Sequence, residues 1–527
     1  MTHEGFSPHL AHPPTTEQPL PTENQEHRAT HNCGIVGFYY NEPTTIDQAI
    51  SSLSKLQHRG QEGSGALVIP ARGEQPIFWE TKELLINSRK NGEFGKFRAN
   101  VGDHAQIVVG HNRYSTSGSL SAGQPFYDTD LVTAHNGNLV NPKQLDAYTI
   151  LSESDTRVLH DSIRKSEGET LDDKLRTTLP GVEGAYSLVL ADPKEQALYG
   201  IRDPRGMRPL HLGKLRNDAG YVIASETVAI KDIVEGIYEI QPGEGIKIHD
   251  GQVSRFFQDP RKEAQRSCIF EPIYFARPES DQFGLNVGKF RRASGEALAE
   301  IDIENGITPD IIVPIRNSGI IGAEGYSQRM IQLQIQKLIE EVQNDPTTDI
   351  EANSRKISEL ILMSGVNTNQ YGRVFIEHGD RAAKADEKYM VDPEVVRGKS
   401  VMLVDDSLVR GTTSAVITRK LREAGAKSVM WRFLSPKVVD VCHWGVDFAD
   451  KNELIAVQKS EVEIAEAIGA DSVGFLPVKR MLQIAEELSG HDGFCTHCFT
   501  HEKPMEVNRE HMILKSDIKV SKQLIAS

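Results

Sequence analysis

The sequence predicts two units in series, a strand-rich unit followed by a doubly wound α/β unit with a parallel sheet. Three observations indicate this arrangement. The chain has 527 residues, enough for two or three domains with separate cores. In its first half, short apolar strands such as 107–109 and 131–133 end in polar clusters. From about Cys268 onward, apolar strands at 311–315, 400–404 and 428–434 alternate with helical stretches.

Residues 1–32 do not resemble either unit. They contain five prolines and five histidines among polar residues, a composition that buries too little surface to fold. They also lack the apolar core of a secretory signal. We therefore expect a disordered leader or propeptide at 1–32, and a C-terminal tail at 501–527.

Charge and hydropathy argue against two classes of function. The formal net charge is −15, from 59 Lys and Arg against 74 Asp and Glu, and no basic tract offsets it. Nucleic-acid binding is therefore not expected. No apolar run approaches the roughly 18 residues of a membrane-spanning helix, so no membrane association is expected and the cytoplasm is the expected location.

The stretch 401–414 predicts an anion site in the second unit. Four apolar residues lead to the adjacent carboxylates Asp405 and Asp406. The loop that follows, before the next helical pattern, contains Ser407, Arg410, Gly411, Thr412, Thr413 and Ser414. Its N–H groups, its hydroxyls and the positive end of the helix dipole favour a phosphate, and the carboxylates suit vicinal hydroxyls or Mg2+. A ribose phosphate meets both demands, whereas the alternative is an ordinary buried strand before a capped helix.

This stretch resembles the motif with which type I phosphoribosyltransferases bind phosphoribosyl pyrophosphate (PRPP). The resemblance implies that Asp405 and Asp406 face the ribose hydroxyls and that the 407–414 loop binds the 5-phosphate. It also implies Mg2+ held by Ser318, Asp405 and Asp406. A further PRPP contact is implied for Arg373, in a segment that resembles the lid of this family.

A second group of polar residues lies in the first half of the chain. Cys33 opens the first apolar strand, and polar clusters follow at 57–60, 110–116, 135–139 and 154–156. Strands that end in polar groups at one edge of a sheet build a site there. Read alone, Cys33 is an ordinary buried cysteine of a strand; beside these clusters it is a candidate nucleophile.

Together with 202–210, these clusters resemble the class II glutamine amidotransferases. The resemblance spans 33–262 and implies the α+β N-terminal-nucleophile fold, an αββα arrangement. In this family the N-terminal cysteine is the nucleophile and its own α-amino group is the base. The implied oxyanion donors are Asn136 and Gly137, and the implied glutamine-binding residues are Arg59, Arg113, Thr116 and Asp155.

An α-amine base requires a free amino group on Cys33. Asn32 precedes it, and no Met lies between Met1 and Met207. Removal of an initiator Met cannot expose this cysteine. We therefore expect the Asn32–Cys33 bond to be cleaved.

The five cysteines are too few and too scattered for a secreted disulfide scaffold, which favours reactive or metal-bound thiols. Cys495 and Cys498 form a C-x-x-C, for which zinc is the first interpretation and redox activity the second. With the contexts 267–278 and 442–447, this pair resembles the iron–sulfur subset of the glutamine PRPP amidotransferases. The resemblance implies a [4Fe–4S] cluster on Cys268, Cys442, Cys495 and Cys498.

That family resemblance covers most of the chain and implies an activity and partners. It implies that PRPP, glutamine and water give 5-phosphoribosylamine, glutamate and pyrophosphate, the first step of de novo purine synthesis. Purine nucleotides are the expected feedback inhibitors, and a homo-oligomer, either a tetramer or a dimer, is expected. The phosphoribosyltransferase unit is expected at 263–500.

Three segments depart from the family pattern. Arg316 and Asn317 replace a Pro-Asp/Glu pair, and 326–364 is an expected insertion of two helices broken at 344–346. In the insertion, one apolar face predicts packing and comprises Ile331, Ile335, Leu338, Ile339 and Val342. The lid-like segment 365–390 has four basic and four acidic residues, a poor match for PRPP. A divergent paralogue is therefore an alternative: an active glutaminase with a different ammonia acceptor, or a regulatory protein that binds nucleotides or PRPP.

Overall fold

The structure is a computed structural model that describes residues 33–71, 74–90, 92–113, 123–152, 154–315, 318–359, 366–368, 389–446, 450–513 and 517. The predicted leader therefore lies outside the described residues. Within these ranges no helix is both long and apolar enough to cross a membrane.

Within the described residues, the first unit contains two antiparallel sheets and five α-helices. Its strands are β1 (Gly34–Thr44), β2 (Gly63–Pro70), β3 (Ile77–Thr81), β4 (Ala105–Arg113), β5 (Phe126–Tyr127), β6 (Val132–Leu139), β7 (Gly184–Asp192), β8 (Ala197–Arg202), β9 (His211–Leu215), β10 (Gly220–Ala224), β11 (Val234–Glu239), β12 (Glu244–His249) and β13 (Gln252–Gln258). Its helices are α1 (Asp47–Lys55), α2 (Leu85–Ser88), α3 (Gly92–Val101), α4 (Asp155–Lys165) and α5 (Leu171–Thr178). The strand orders are β11-β9-β10-β1-β4-β2-β3 and β13-β12-β8-β7-β6-β5.

The alternation of side chains along the strands explains the layers. On β1, Ile35 and Tyr39 pack against Val132 and Val189 of the other sheet. Val36 and Phe38 point the opposite way, into a cluster that includes residues of α1 and α3. A third cluster lies under α4 and α5 on the outer face of the second sheet. This is the αββα arrangement that the family resemblance implied, and the prediction is confirmed.

The second unit is built on a four-stranded parallel sheet. Its elements are β14 (Ser267–Cys268), β15 (Asp281–Gln282), β16 (Leu285–Asn286), α6 (Val287–Glu304), β17 (Ile311–Pro314), α7 (Ile320–Asn344), α8 (Ile350–Glu359), β18 (Val366–Thr368), β19 (Tyr389–Val391), α9 (Pro393–Val396), β20 (Ser400–Asp405), α10 (Thr412–Glu423), β21 (Ser428–Phe433), α11 (Glu461–Ile468), β22 (Ser472–Phe475), α12 (Val478–Ser489), β23 (Phe494–Cys495) and α13 (His497–Thr500). The parallel order is β17-β20-β21-β22. Separate apolar clusters cover its two faces, which confirms the doubly wound class.

The predicted insertion has the expected helices but not the expected packing. α7 is continuous to Asn344, the helix ends at Asp345, and α8 follows. The apolar face packs only at its start: Ile331 lies against the core, whereas Ile335 is 43% exposed and Ile339 is 52% exposed. The buried residues of α7 end at Met330, because the helix extends past the core that its first half contacts.

The tail beyond residue 500 packs where the two units meet. Met505 and Met512 are buried in a cluster with Val140 and Met207 of the first unit and Trp444 of the second. Lys143 and Asp517 also form an ion pair of 2.7 Å. The tail therefore contributes to the contact between the units.

Candidate functional site

Cys33 and Asn136 lie at the same end of the first unit, on its two facing sheets. Cys33 precedes β1 and is fully buried. Its backbone N–H donates to Asn136 Oδ1 on β6 of the opposite sheet, at 3.1 Å. Asn136 Nδ2 is buried and has no hydrogen-bond partner among the described residues. An unused amide donor beside a buried thiol suits the negative oxygen that forms when a nucleophile attacks an amide.

Gly137 is required by the backbone next to Asn136. Its φ is +149°, and an added Cβ would lie 1.9 Å from the carbonyl oxygen of Ala185 on β7. Any larger residue would force β6 away from β7. Such a shift would also move Asn136.

The structure places two of the predicted glutamine-binding residues near this end. Gly34 pairs with Asn112 across β1 and β4, so Arg113 at the end of β4 lies close to Cys33. Asp155 begins α4 and accepts a hydrogen bond of 2.9 Å from the N–H of Leu139, three residues beyond Asn136. Thr116 lies outside the described residues.

Arg59 contacts the nucleophile segment directly. Its Nε donates to the Cys33 carbonyl oxygen at 3.2 Å. Its terminal nitrogens donate to Glu226 at 2.5 Å and to Glu271 at 2.7 and 2.9 Å. Arg59 therefore helps to hold the Cys33 segment in place, and its contact to glutamine stays a prediction.

Sequence reasoning missed the buried carboxylates around Arg59. Burial acts to raise the pKa of Glu226, but His58 and Arg59 outweigh it, and the pKa lies well below its usual value. Burial also acts to lower the pKa of Arg59, while Glu271 and Glu226 raise it above the usual range. A signal was present in the sequence, because Glu271 is the one carboxylate within the apolar run 269–276, and buried charges are rare unless paired.

The second site lies at the carboxyl ends of β17 and β20. The Ser318 hydroxyl contacts Asp406 Oδ2 directly. Asp406 is buried and also accepts a hydrogen bond of 2.6 Å from Ser407 Oγ. Asp405 Oδ1 accepts from the N–H of Asp406 at 2.9 Å. The structure thus brings together the three residues predicted to hold Mg2+, a set of hydroxyl and carboxylate oxygens that suits this ion.

The predicted phosphate loop leads into α10. Gly411 caps this helix with a φ of +77°, and no side chain caps the N-terminus. An added Cβ at Gly411 would lie 2.6 Å from Ile455 Cδ1. Thr412, Thr413 and Ser414 form the first turn, where free N–H groups and hydroxyls attract an anion. Arg410 Nε donates to Glu453, and Arg373 lies outside the described residues.

The four remaining cysteines meet at the boundary between the units. Cys268 pairs with Cys495 in the β14–β23 ladder, and the N–H of Val439 donates to the Cys498 carbonyl at 2.8 Å. Burial raises the pKa of the Cys268 thiol to about 12, and Cys442 adds to this rise. Burial likewise raises the pKa of Cys498, with contributions from Cys442, Cys495 and Cys268. Four thiols that influence one another in this way share one site.

The surroundings of these cysteines fit an iron–sulfur cluster. Trp444 Nε1 and both ring nitrogens of His497 are buried and have no hydrogen-bond partner among the described residues, although Asp440 Oδ2 lies 3.9 Å from His497 Nε2. The Trp444 and His497 rings are 5.0 Å apart. Such donors suit the sulfides of a cluster.

Comparisons with known proteins match both units of the chain. The family described as "Glutamine amidotransferase domain" matches residues 111–232, and "Phosphoribosyl transferase domain" matches 286–432. Amidophosphoribosyltransferase of Archaeoglobus fulgidus is 34% identical over 498 residues, covering 91% of this chain and 99% of the relative. The chloroplastic amidophosphoribosyltransferase 1 of Arabidopsis thaliana is 33% identical, covering 95% of this chain and 85% of the relative.

A solved structure resembles the whole chain. Glutamine PRPP amidotransferase from B. subtilis, complexed with ADP and GMP, has a TM-score of 0.74 and 32% identity. The match covers 92% of this chain and 99% of that one. The match therefore extends over both units. The chain therefore belongs to the amidophosphoribosyltransferase family, enzymes that join a glutamine amidotransferase unit to a phosphoribosyltransferase unit.

Proposed function

We propose that the protein transfers the amide nitrogen of glutamine to C1 of PRPP, giving 5-phosphoribosylamine, glutamate and pyrophosphate as the first step of purine synthesis. The observation that carries the proposal is the pair Cys33 and Asn136, a buried thiol beside a buried amide whose donor has no partner. This pair accounts for amide hydrolysis. Asp405, Asp406 and the α10 N-terminus account for a ribose phosphate acceptor.

In the glutamine half-reaction the Cys33 sulfur attacks the side-chain carbonyl of glutamine. The α-amine of Cys33, freed by cleavage after Asn32, takes the thiol proton and returns it to the leaving ammonia. Asn136 Nδ2 and the Gly137 backbone stabilise the oxyanion. Arg113, Thr116 and Asp155 bind the carboxylate and amine of glutamine. Water then releases glutamate from the thioester.

In the second half-reaction the ammonia displaces pyrophosphate from C1 of PRPP. Asp405 and Asp406 orient the ribose hydroxyls, and the Thr412–Ser414 turn binds the 5-phosphate at the helix N-terminus. Ser318, Asp405 and Asp406 would hold Mg2+, which supplies positive charge to the departing pyrophosphate.

We further infer that Cys268, Cys442, Cys495 and Cys498 bind a [4Fe–4S] cluster. The ring nitrogens of Trp444 and His497, which lack hydrogen-bond partners among the described residues, and the resemblance of the four cysteine contexts to the iron–sulfur subset support this assignment over zinc. Protein purified without oxygen should be brown and contain about four irons per chain. Cys495→Ser should lose the iron and stability together. A colourless, active protein with stoichiometric zinc would contradict the inference.

The decisive experiment measures two products at once. Purified protein is given glutamine, PRPP and Mg2+, and both glutamate and phosphoribosylamine are followed. Equal, PRPP-dependent formation of the two supports the proposal. Glutamate without phosphoribosylamine would favour the divergent paralogue, which the charge balance of segment 365–390 keeps as the second candidate. A calorimetric titration that detects no PRPP binding at millimolar PRPP would also favour the divergent paralogue.

Several expectations remain predictions. Feedback by purine nucleotides, a homo-oligomer and a cytoplasmic location are expected for this chain. The unit limits at 33–262 and 263–500, and cleavage of the leader, are also predictions. N-terminal sequencing of the active protein should begin at Cys33.

A further inference from the structure

Glu271 lies where the two units meet, and its carboxylate accepts hydrogen bonds from two arginines of the first unit. It begins a single helical turn, Glu271–Phe275, just after Cys268, and its side chain is fully buried. Its Oε1 accepts from Arg59 Nη2 and from Arg208 Nη1, both at 2.7 Å. One carboxylate therefore fixes two guanidinium groups that come from distant parts of the first unit.

The Arg59 side leads to the nucleophile. Arg59 spans from Glu271 to the carbonyl oxygen of Cys33, with Nε at 3.2 Å from that oxygen. Its remaining nitrogen is bonded to Glu226, which also accepts from the N–H of Arg277 at 3.0 Å and from Ser280 Oγ at 2.8 Å. The position of Cys33 is thus set by carboxylates that lie in, or are bonded to, the first part of the second unit.

The Arg208 side leads to the loop that carries Cys442. Arg208 Nη2 donates to the Trp444 carbonyl oxygen at 2.7 Å. In the same loop, the His443 carbonyl accepts from Asn138 Nδ2 at 2.7 Å. Asn138 follows Gly137 on β6, so this loop is bonded to the strand that carries the oxyanion donors.

We propose that Glu271 is a positioning residue that couples the Cys442–Trp444 loop to Cys33. The proposal rests on the proposed function, in which Cys33 is the nucleophile. Charge is the reason that a carboxylate is needed. Two buried guanidinium groups approach the same oxygen, and only a negative group holds both in place. Without that charge Arg59 turns toward Glu226 and releases the Cys33 carbonyl.

The test compares two ways of labelling Cys33 in the two-unit protein after removal of residues 1–32. A diazoketone analogue of glutamine reacts only when Cys33 and the oxyanion donors are correctly placed, whereas iodoacetamide needs an accessible thiol alone. In Glu271→Gln we expect diazoketone labelling of Cys33, followed by peptide mass spectrometry, to slow about tenfold. Iodoacetamide labelling should change less than twofold. The kcat for glutamine hydrolysis should fall with diazoketone labelling, while KM for glutamine stays within twofold.

Asp259→Asn is the matched control. Asp259 is a buried carboxylate of the same unit, bonded to Arg261 at 2.7 and 2.8 Å, and has no bond to the Cys33 segment. It should lower the melting temperature without slowing diazoketone labelling. Equal slowing in both variants, or none in Glu271→Gln, would overturn the proposal.

A double-mutant cycle tests the coupling itself. Cys442→Ser should slow diazoketone labelling in the parent chain and have no further effect in Glu271→Gln. Additive effects would overturn the coupling.

If Glu271→Gln does not fold, Arg208→Lys replaces it as the test variant. Arg208→Lys keeps the positive charge and loses the hydrogen bond to the Trp444 carbonyl. Diazoketone labelling of Cys33 in this variant should slow about threefold, and an unchanged rate would overturn the proposal. Absence of labelling in the parent chain would overturn the proposed function as well, which separates the two failures.

Discussion

The two sites of this molecule are held in place by different means. The glutaminase site joins residues far apart in the chain: Arg59 reaches Glu271, 212 residues away, and Cys33 reaches Asn136, 103 residues away. The phosphoribosyl site draws most of its residues from one segment, 405–414, at the end of a strand and the start of a helix. The first site should therefore respond to distant substitutions, whereas the second should respond mainly to changes within its own loop.

The largest expected effect separates the two sites completely. Cys33→Ala should reduce glutamine hydrolysis on the order of 10⁴-fold or more, because the nucleophile is lost. Synthesis of phosphoribosylamine from added ammonia should continue, since it bypasses this cysteine. Paired assays with glutamine and with ammonium chloride measure the difference. Retained glutamine hydrolysis would show that the thiol is not the nucleophile.

The next largest expected effect is on stability, and it tests whether buried ion pairs stabilise the glutaminase site. The pKa of Glu226 is well below its usual 4.5, so its ionised form stabilises the fold above pH 4.5 and that contribution is lost as the pH falls further. Glu226→Gln should cost about 3 kcal/mol at pH 7, because a buried pair is broken. Urea unfolding should show a smaller difference between variant and parent at pH 4 than at pH 7. A constant difference would contradict this account.

A substitution in the second site should leave the first intact. Asp406→Asn removes a charge that Ser318 and Ser407 contact, and should lower PRPP-dependent synthesis about 10- to 100-fold, the equivalent of one charge-assisted hydrogen bond of about 1.5–3 kcal/mol. Basal hydrolysis of glutamine should stay within twofold. Asp302→Asn, which disturbs the buried pair with Arg432 in the same unit, controls for general damage. Equal loss in the two variants would count against a direct role for Asp406.

The smallest expected effect concerns an ion pair in the phosphate loop of the second site. Glu453→Gln weakens one contact of Arg410, in a partly buried ion pair that contributes about 0.2–1 kcal/mol. Because the guanidinium can then turn more readily toward a phosphate, KM for PRPP should fall by about 1.5- to 5-fold. Glu423→Gln breaks an exposed pair with Arg419 on the same α10 helix and should change nothing. A rise in KM would indicate that the pair orders the loop.

The difference between the sites also explains what the sequence could predict. The 401–414 stretch encodes strand, carboxylates, loop and helix in order, so its anion site could be predicted from adjacent residues. The αββα layers and the place of Cys33 came from a family resemblance, because strand patterns alone do not state which sheets face each other. The Arg59, Glu226, Glu271 and Arg208 network could not be predicted, since ion-pair partners are set by tertiary structure.

The apolar face of α7 is a second case in which the sequence predicts a local pattern but not its tertiary contacts. Helical periodicity predicted a face that includes Ile335 and Ile339, and the helix formed as expected. Periodicity reports that such a face exists but not what covers it. In the structure those residues are exposed, because the helix is longer than the core beneath it.

The packing of the tail has a consequence for the order of assembly. Met505 and Met512 close the apolar wall beside Trp444, and both are synthesised after all four boundary cysteines. Units generally fold from the N-terminus onward while the chain is still being made. Cys495 and Cys498 directly precede the tail in the chain, so the same late segment both completes the cysteine site and covers it.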